Sequence, residues 1–240
     1  MILRTRTAEF EVIKSAMATK FENKNVRILE AGCGRKWEYT IPEDVTPYII
    51  GVDVDEAAMQ LRSTLENDLD EMHCCDLLDA PIPSGSADII YCSFVFEHLE
   101  DPPGVLKKFA DWVADDGIII LRFPNPESVF GWTTRVSPHW VHVMYHRYVK
   151  GYKQAGEAGH PPYPTIYHKS LMYKNFKKLL QVSGLEIKAL YKVNTADKLR
   201  RPWKIIYIIY ALFVSSLSMG LIDRKVSSFA YVLQKRKKAH

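Results

Sequence analysis

The feature that most constrains the fold is a regular alternation of short β-branched runs with helical stretches between residues 26 and 123. Two intervening stretches, residues 55–69 and 104–114, have the apolar spacing of amphipathic helices. Such alternation is typical of a parallel sheet with helices on both faces. The runs that we predict as strands are VRILE (26–30), YIIGVD (48–53), EMHCC (71–75), ADIIYC (87–92) and GIIILRF (117–123).

The alternation stops after the fifth run and resumes later in the chain. Residues 124–168 hold six of the thirteen prolines and five of the eight histidines, which argues against a simple strand–helix unit. A helix is predicted at 170–183, and two further strands at 185–193 and 227–233. We therefore predict one α/β domain over residues 1–240 with a doubly wound, mostly parallel seven-stranded sheet. Its parts are a core at 26–123, an inserted lid at 124–168, an apolar helical segment at 199–224 and the last strand at 227–233.

Composition places the chain among ordinary globular proteins. It has 240 residues, of which 47% are hydrophobic and 25% charged, so it can form one core without metals or disulfides. Its four cysteines lie in the first half without a CxxC spacing, which favours reduced thiols and a cytoplasmic protein. Residues 1–17 mix charges of both signs and lack the apolar stretch of a secretion signal.

The first predicted strand ends in a glycine motif, Glu30-Ala-Gly32-Cys-Gly34. Glycines here allow a tight turn and a close approach of the backbone to a ligand. The dinucleotide pattern GxGxxG and the P-loop pattern are both absent. Asp53, nineteen residues after Gly34, ends the second strand, where its carboxylate could accept hydrogen bonds from a ribose diol. Taken one by one, these residues could instead be turn glycines and a helix N-cap.

Five segments resemble, in order and spacing, the motifs of class I S-adenosylmethionine-dependent methyltransferases. They are closest to the small-molecule branch that includes the quinone-biosynthesis enzymes. The segments are ILEAGCG, GVD, CCDLL, ADIIYCSFVFEHLEDP and ADDGIIILRFPNP, and the resemblance that they carry covers roughly half of the chain. One departure is Lys36, which stands where the family often has a further glycine.

The resemblance implies S-adenosylmethionine as the cofactor and a seven-stranded sheet whose last strand is antiparallel. It implies that the glycine loop passes under the methionine part, that Asp53 holds the ribose hydroxyls and that Asp76 contacts the adenine amine. The residues that we assign to the cofactor site are Glu30, Gly32, Gly34, Asp53, Asp76 and Ser93.

Methyl transfer from a sulfonium needs alignment and exclusion of water, and a general base only where the acceptor must lose a proton. His98 follows the fourth predicted strand, and such loops face the ligand in open α/β sheets. We therefore predict His98 as the catalytic base. The alternative is a histidine that only hydrogen-bonds the backbone and shapes the cofactor site.

The lid contains three histidines at spacings of three and four, which place them on one face of a helix. The lid is also rich in tryptophan and tyrosine, as expected for a cover over the acceptor. We predict that His139, His142 and His146 bind the substrate. Packing is one alternative and zinc is another, but we predict no metal, since the lid has no cysteine and only two carboxylates.

Residues 205–222 contain no charged side chain, while the chain from Lys198 onward holds ten lysines or arginines and one acid. A single membrane crossing is disfavoured, because the last strand must return to the sheet. Two hypotheses remain for the segment. It could be buried against the domain or a second copy, or it could lie in the interface of an anionic membrane.

The sequence therefore predicts methyl transfer from S-adenosylmethionine to a small or lipid-linked acceptor, at oxygen. The expected location is the cytoplasm, with peripheral attachment to an anionic membrane as a further hypothesis. A noncatalytic protein that keeps the fold and the cofactor is the alternative. A nucleic-acid partner is not expected, because the first 197 residues are net acidic and no N/D-P-P-[YF] motif occurs.

Overall fold

The computed structural model describes residues 2–3, 6–22, 25–194, 203–218 and 222–236. Within these residues the chain forms one eight-stranded sheet with the order β1-β7-β8-β6-β5-β2-β3-β4. The strands are β1 (Ile2–Leu3), β2 (Asn25–Ala31), β3 (Thr46–Asp53), β4 (Glu71–Cys74), β5 (Ala87–Ser93), β6 (Val113–Pro124), β7 (Leu185–Val193) and β8 (Ser228–Lys235).

The seven predicted strands are all present, and the predicted sheet directions are confirmed. Strands β2 to β6 pair in parallel, whereas β8 lies antiparallel between β6 and β7. The eighth strand, β1, adds two residues parallel to the edge strand β7. A two-residue strand is too short to show a hydrophobic period, which is why the sequence did not predict it.

Helices cover both faces of the sheet. They are α1 (Arg6–Phe21), α2 (Glu56–Leu65), α3 (Pro102–Trp112), α4 (Val129–Val136), α5 (His139–Met144), α6 (Tyr173–Val182) and α7 (Trp203–Leu217). Asp55 and Asp101 cap α2 and α3, each accepting a hydrogen bond from a backbone N–H in the first turn. These caps explain why the helices begin where they do.

The side chains of consecutive residues of the central strand β2 pack in different hydrophobic cores. Ile28 packs in the core that contains α1, whereas Leu29 packs in the core that contains side chains of α3 and α6. Because successive side chains of a strand point to opposite faces, two separate cores require helices on both sides. The doubly wound arrangement is thereby confirmed.

The segment predicted as a lid has its own helices. Helix α5 continues into a π-helical turn, Tyr145–Val149, and residues 150–168 are largely irregular. The backbone N–H groups of Ile166 and Tyr167 donate to the carbonyl oxygen of Glu97, at 2.8 and 3.1 Å. The end of the segment is thus tied to the loop that follows β5, beside the carboxyl ends of the strands.

Helix α7 is buried on one side only. Ala211 and Val214 are buried, and Tyr210 donates to or accepts from the Thr133 hydroxyl of α4 at 2.9 Å. The other side exposes six large apolar side chains, each 46–63% accessible: Ile205, Ile206, Ile208, Ile209, Leu212 and Phe213. The first hypothesis, burial against the domain or a second copy, is met by the domain on one side of the helix only, and a second copy covering the other side stays a prediction. The predicted segment 199–224 extends into residues 199–202 and 219–221, which lie outside the described part. Of the helices described, none is long and apolar enough to span a membrane.

Candidate active site

The sheet order reverses between β2 and β5, and the glycine motif lies at that reversal. Open α/β sheets bind ligands at such points, outside the carboxyl ends of the strands. The N–H of Gly32 donates to the carbonyl oxygen of Val52 at 2.8 Å, and Gly32 has a φ of +75°. A Cβ on Gly32 would lie 2.1 Å from a methyl group of Val95. Only glycine fits this position, because a Val95 methyl group already fills the space of a Cβ, and we call this loop the glycine cradle.

Asp53 organises the turn and still has free acceptor capacity. One carboxylate oxygen accepts from the N–H of Gly34 at 2.7 Å, and the other accepts from the N–H of Asp55 at 2.9 Å. Each carboxylate oxygen can accept two hydrogen bonds. The remaining lone pairs can therefore accept from a diol, the group that the resemblance assigns to Asp53.

Asp53 and Asp76 border the same cavity, which has a volume of about 380 Å³. Asp76 is exposed at its rim and accepts from the N–H of Leu78 at 2.7 Å. The apolar walls include Val95, Leu77 and Leu99, which suit the faces of an aromatic base. A glycine cradle, one acid for a diol and one acid for an amine fit the parts of S-adenosylmethionine.

A second cavity of about 270 Å³ adjoins the first along Gly32 and is bordered by Glu30, Gly34 and Ser93. The Glu30 carboxylate is buried and lies 2.6 Å from the Arg62 guanidinium. Burial raises the pKa of Glu30, and Arg62 opposes that rise. Four predicted cofactor residues thus meet at the second cavity, while Asp53 and Asp76 meet at the first.

Ser93 is held by a residue that the sequence patterns did not identify. Arg122, on β6, is buried and donates to the Ser93 hydroxyl at 2.9 Å. It also lies 3.0 Å from Glu9 of α1 and 3.0 Å from Glu38 of the loop after the glycine motif. An arginine inside an otherwise apolar strand was the available signal, because a buried guanidinium requires partners.

His98 lies where the 380 Å³ cavity meets a third cavity of about 290 Å³. Its Nδ1 is 2.5 Å from the carbonyl oxygen of Pro164. A carbonyl only accepts, so Nδ1 carries the hydrogen and Nε2 of the neutral ring does not. Nε2 is 3.9 Å from Glu97, too far for a hydrogen bond. Burial lowers the pKa of His98, and the charge of His139 adds to that lowering.

The lid histidines are distributed unequally around the third cavity, which we call the acceptor cavity. His142 and His146 border it together with Thr134, Tyr163 and Phe94. His139 does not border it, although its charge acts on His98. The pKa of His146 is lowered by burial and by the neighbouring Lys150 and His142. Within the residues that the structure describes, no cluster of three or more metal-ligating side chains occurs.

Tyr163 connects the lid to the cofactor side of the site. Its hydroxyl donates to the second carboxylate oxygen of Asp55, the cap of α2, at 2.8 Å. Its ring lies edge-on to His98, with centroids 6.1 Å apart, and it borders both the 270 Å³ cavity and the acceptor cavity. The lid is therefore held over the junction of the cavities.

Comparison with known proteins agrees with this geometry. A family model described as a methyltransferase domain matches residues 3–190. A Mycolicibacterium smegmatis protein named probable S-adenosylmethionine-dependent methyltransferase is 29% identical over 115 residues, 48% of this chain and 44% of that protein. A malonyl-[acyl-carrier protein] O-methyltransferase of Laribacter hongkongensis is 24% identical over 128 residues, 47% of this chain and 43% of that protein. The chain thus spans less than half the length of these curated relatives.

Solved structures show the same fold. An S-adenosylmethionine dependent methyltransferase from Mesorhizobium loti superposes with a TM-score of 0.55 at 14% identity, over 92% of this chain and 96% of that one. The resemblance to the quinone-biosynthesis branch stays a prediction. Because the family model spans most of the chain, the protein belongs to the class I S-adenosylmethionine-dependent methyltransferases.

Proposed function

We propose that the protein transfers the methyl group of S-adenosylmethionine to a hydroxyl oxygen of a small acceptor in the acceptor cavity, with His98 as general base. The observation that carries this proposal is the position of His98, which borders both the 380 Å³ cavity that contains Asp53 and Asp76 and the acceptor cavity. A base can act only where its nitrogen reaches the acceptor while the acceptor faces the cofactor.

The cofactor roles follow the fit described above. Gly32 and Gly34 would lie under the methionine part, Asp53 would accept from the ribose hydroxyls and Asp76 would contact the adenine amine. Glu30 and Ser93 would act through the buried cations that hold them, Arg62 and Arg122, rather than as free ligands. When bound, S-adenosylmethionine supplies an electrophilic methyl group on a sulfonium.

The proton is handled by this chain's own residues. Pro164 holds His98 in the tautomer whose Nε2 has a free lone pair. The lowered pKa keeps the ring neutral at neutral pH. Nε2 would accept the proton that the acceptor hydroxyl loses on methylation, and the imidazolium would then return that proton to solvent. The bound cofactor would give up its methyl group and leave as the neutral thioether. His142 and His146 would contact the acceptor directly, whereas His139 would act through its charge on His98.

Oxygen as the acceptor atom is supported by two features. A hydroxyl loses a proton on methylation, which gives a neutral histidine a function. The Laribacter hongkongensis relative is named as an O-methyltransferase.

A lipid-linked acceptor is supported by the position of α7. Thr134 of α4 borders the acceptor cavity, and α4 packs on α7 through Thr133–Tyr210 and through stacked rings of Phe130 and Tyr207. The exposed apolar side of α7 therefore lies one helix away from the acceptor cavity. We propose that this side rests on an anionic membrane, with the basic residues that follow it facing lipid phosphates.

Turnover is tested with isotopically methyl-labelled S-adenosylmethionine in extracts, separated into lipid, small-molecule and macromolecule fractions. We expect label in the lipid or small-molecule fraction, stable to alkali as a methyl ether, whereas alkali-labile label would mean a carboxylate acceptor and would contradict the role of His98 as a base. His98→Asn should lose turnover yet bind S-adenosylhomocysteine normally, whereas His73→Asn, on β4 outside the site, should match the wild type. Normal cofactor binding without label in any fraction would instead support the noncatalytic alternative.

Membrane attachment is tested separately by liposome flotation. Binding should increase with anionic lipid and decrease with salt, because the basic flanks are screened. Ile209→Ser with Phe213→Ser should abolish flotation and leave S-adenosylhomocysteine binding unchanged. Failure of the wild type to float with anionic vesicles at low salt would reject the membrane proposal.

A further inference from the structure

We propose that the acceptor carries a phosphoryl group, held in a cation-lined cavity between the lid and the loop that follows the glycine motif. This cavity, here called the basic basin, has a volume of about 690 Å³. It is bordered by Arg35, Lys36 and Lys153, with His146, His160 and Tyr152 beside them. The inference rests on the proposed methyl transfer, because it identifies a chemical group of that same acceptor.

In the part of the chain that the structure describes, the cations of the basic basin have no carboxylate partners. Within the described residues, Arg35, Lys36 and Lys153 form no ion pair, and no aspartate or glutamate borders the cavity. The nearby Glu157 lies 3.7 Å from a different residue, Arg147. Like charges gathered at one concave surface repel each other, and a bound anion removes that cost.

A fourth cation lies behind the basin wall. Lys150 Nζ is 3.3 Å from Nε2 of His146, a residue that borders the basin. Three to four positive charges exceed what one carboxylate can neutralise, so they favour a group with more than one negative charge. Arg35 adds a planar guanidinium suited to phosphate, and its Nη1 is 2.9 Å from Nδ1 of His160.

The basin is placed to position an acceptor. It shares His146 and Pro161 with the acceptor cavity, and it shares Arg35 and Lys36 with the cavity beside the glycine motif. An acceptor that spans both cavities would have its phosphoryl group in the basin and its reacting hydroxyl beside His98. Binding energy from the remote group would then align the reacting oxygen.

The test is calorimetric titration with inorganic pyrophosphate in the presence of saturating S-adenosylhomocysteine. The wild type should bind one pyrophosphate, more weakly as salt increases. Lys36→Gln with Lys153→Gln should weaken binding by about tenfold, because an exposed ion pair contributes about a two- to fivefold effect each. Lys107→Gln with Lys174→Gln removes the same charge from exposed helix positions and should change nothing.

Three results would overturn the proposal. The first is that pyrophosphate does not bind to the wild type saturated with S-adenosylhomocysteine. The second is that pyrophosphate binds equally to both double variants. The third is that malonate binds as tightly as pyrophosphate, which would mean a carboxylate site. Failure of methyl transfer alone is recognised separately, because pyrophosphate binding requires no turnover.

The source of the phosphoryl group is resolved by a second arm that compares phosphatidate vesicles with phosphatidylserine vesicles of equal surface charge, because α7 should bind both alike. If the wild type prefers phosphatidate and the Lys36/Lys153 variant loses that preference together with pyrophosphate binding, the basin takes a lipid phosphate. If the wild type shows no such preference and the variant loses pyrophosphate alone, the basin takes a soluble phosphorylated acceptor.

Discussion

Replacing Asp53 by alanine should weaken cofactor binding and also loosen the glycine cradle. The substitution removes the acceptors for the N–H groups of Gly34 and Asp55, now hydrogen-bonded at 2.7 and 2.9 Å. A hydrogen bond to a charged group contributes about 1.5–3 kcal/mol. Asp53 is half-buried, so water replaces part of that loss, and the free energy of unfolding should fall by about 1.5–3 kcal/mol in total.

Loss of the ribose contacts should weaken S-adenosylhomocysteine binding by about ten- to a hundredfold, since 1.4 kcal/mol corresponds to a factor of ten. Calorimetry measures the affinity, and urea unfolding measures the stability. Asp53→Asn keeps the shape and one acceptor oxygen, so its effect on both should be intermediate.

The matched control is Asp88→Ala. The Asp88 carboxylate accepts from the N–H of Arg27 at 2.8 Å, a bond of the same type at the opposite end of the sheet. This variant should lose stability but keep its affinity. An unchanged affinity in Asp53→Ala would remove Asp53 from the ribose role, and an equal loss in Asp88→Ala would show that general destabilisation explains both.

Three further predictions concern titratable groups. Because burial lowers the pKa of His98, kcat/KM should rise with pH with a midpoint below 6.5 and be constant near neutral pH. A midpoint above 7 in the pH–rate profile would contradict a neutral base. Burial raises the pKa of Glu97 to about 8, and one of its oxygens has no hydrogen-bond partner within the described residues. The stability that protonated Glu97 contributes is complete below about pH 4.5 and is lost as the pH rises toward 8. In urea unfolding, Glu97→Gln should therefore be more stable than the wild type by about 3 kcal/mol at pH 7 and by much less at pH 5. An equal gain at both pH values would refute this. Arg62→Met should lower the free energy of unfolding by about 3–5 kcal/mol, since it leaves Glu30 buried without its cation. Adding Glu30→Gln should restore much of that loss. Strictly additive losses in the double variant would mean that the two residues are not coupled.

Local pattern was enough to predict the strands and the cofactor loop. The predicted runs in the middle of the sheet became strands that are buried on both faces, as parallel strands covered by helices are. β4 and β7 formed as predicted although their side chains are partly exposed. The role of Gly32 was also predictable from local sequence. A tight turn directly after a strand requires a positive φ, which glycine adopts without strain.

The tertiary structure decided what lies far apart in the chain. Arg122 meets Glu9 across 113 positions, and Tyr163 meets Asp55 across 108. The tautomer of His98 depends on the carbonyl of Pro164, 66 positions away. No local period contains these pairs, because they form only when the lid and α1 pack on a completed sheet.

The two hypotheses for α7 show the same division. Its apolar sequence predicted a helix that is stabilised by burial against some apolar surface. Only the fold decided that Ala211 and Val214 are buried while Ile209 and Phe213 remain exposed. The physical reason is that hydrophobicity is a property of each residue, whereas burial depends on which neighbours the whole chain brings to it.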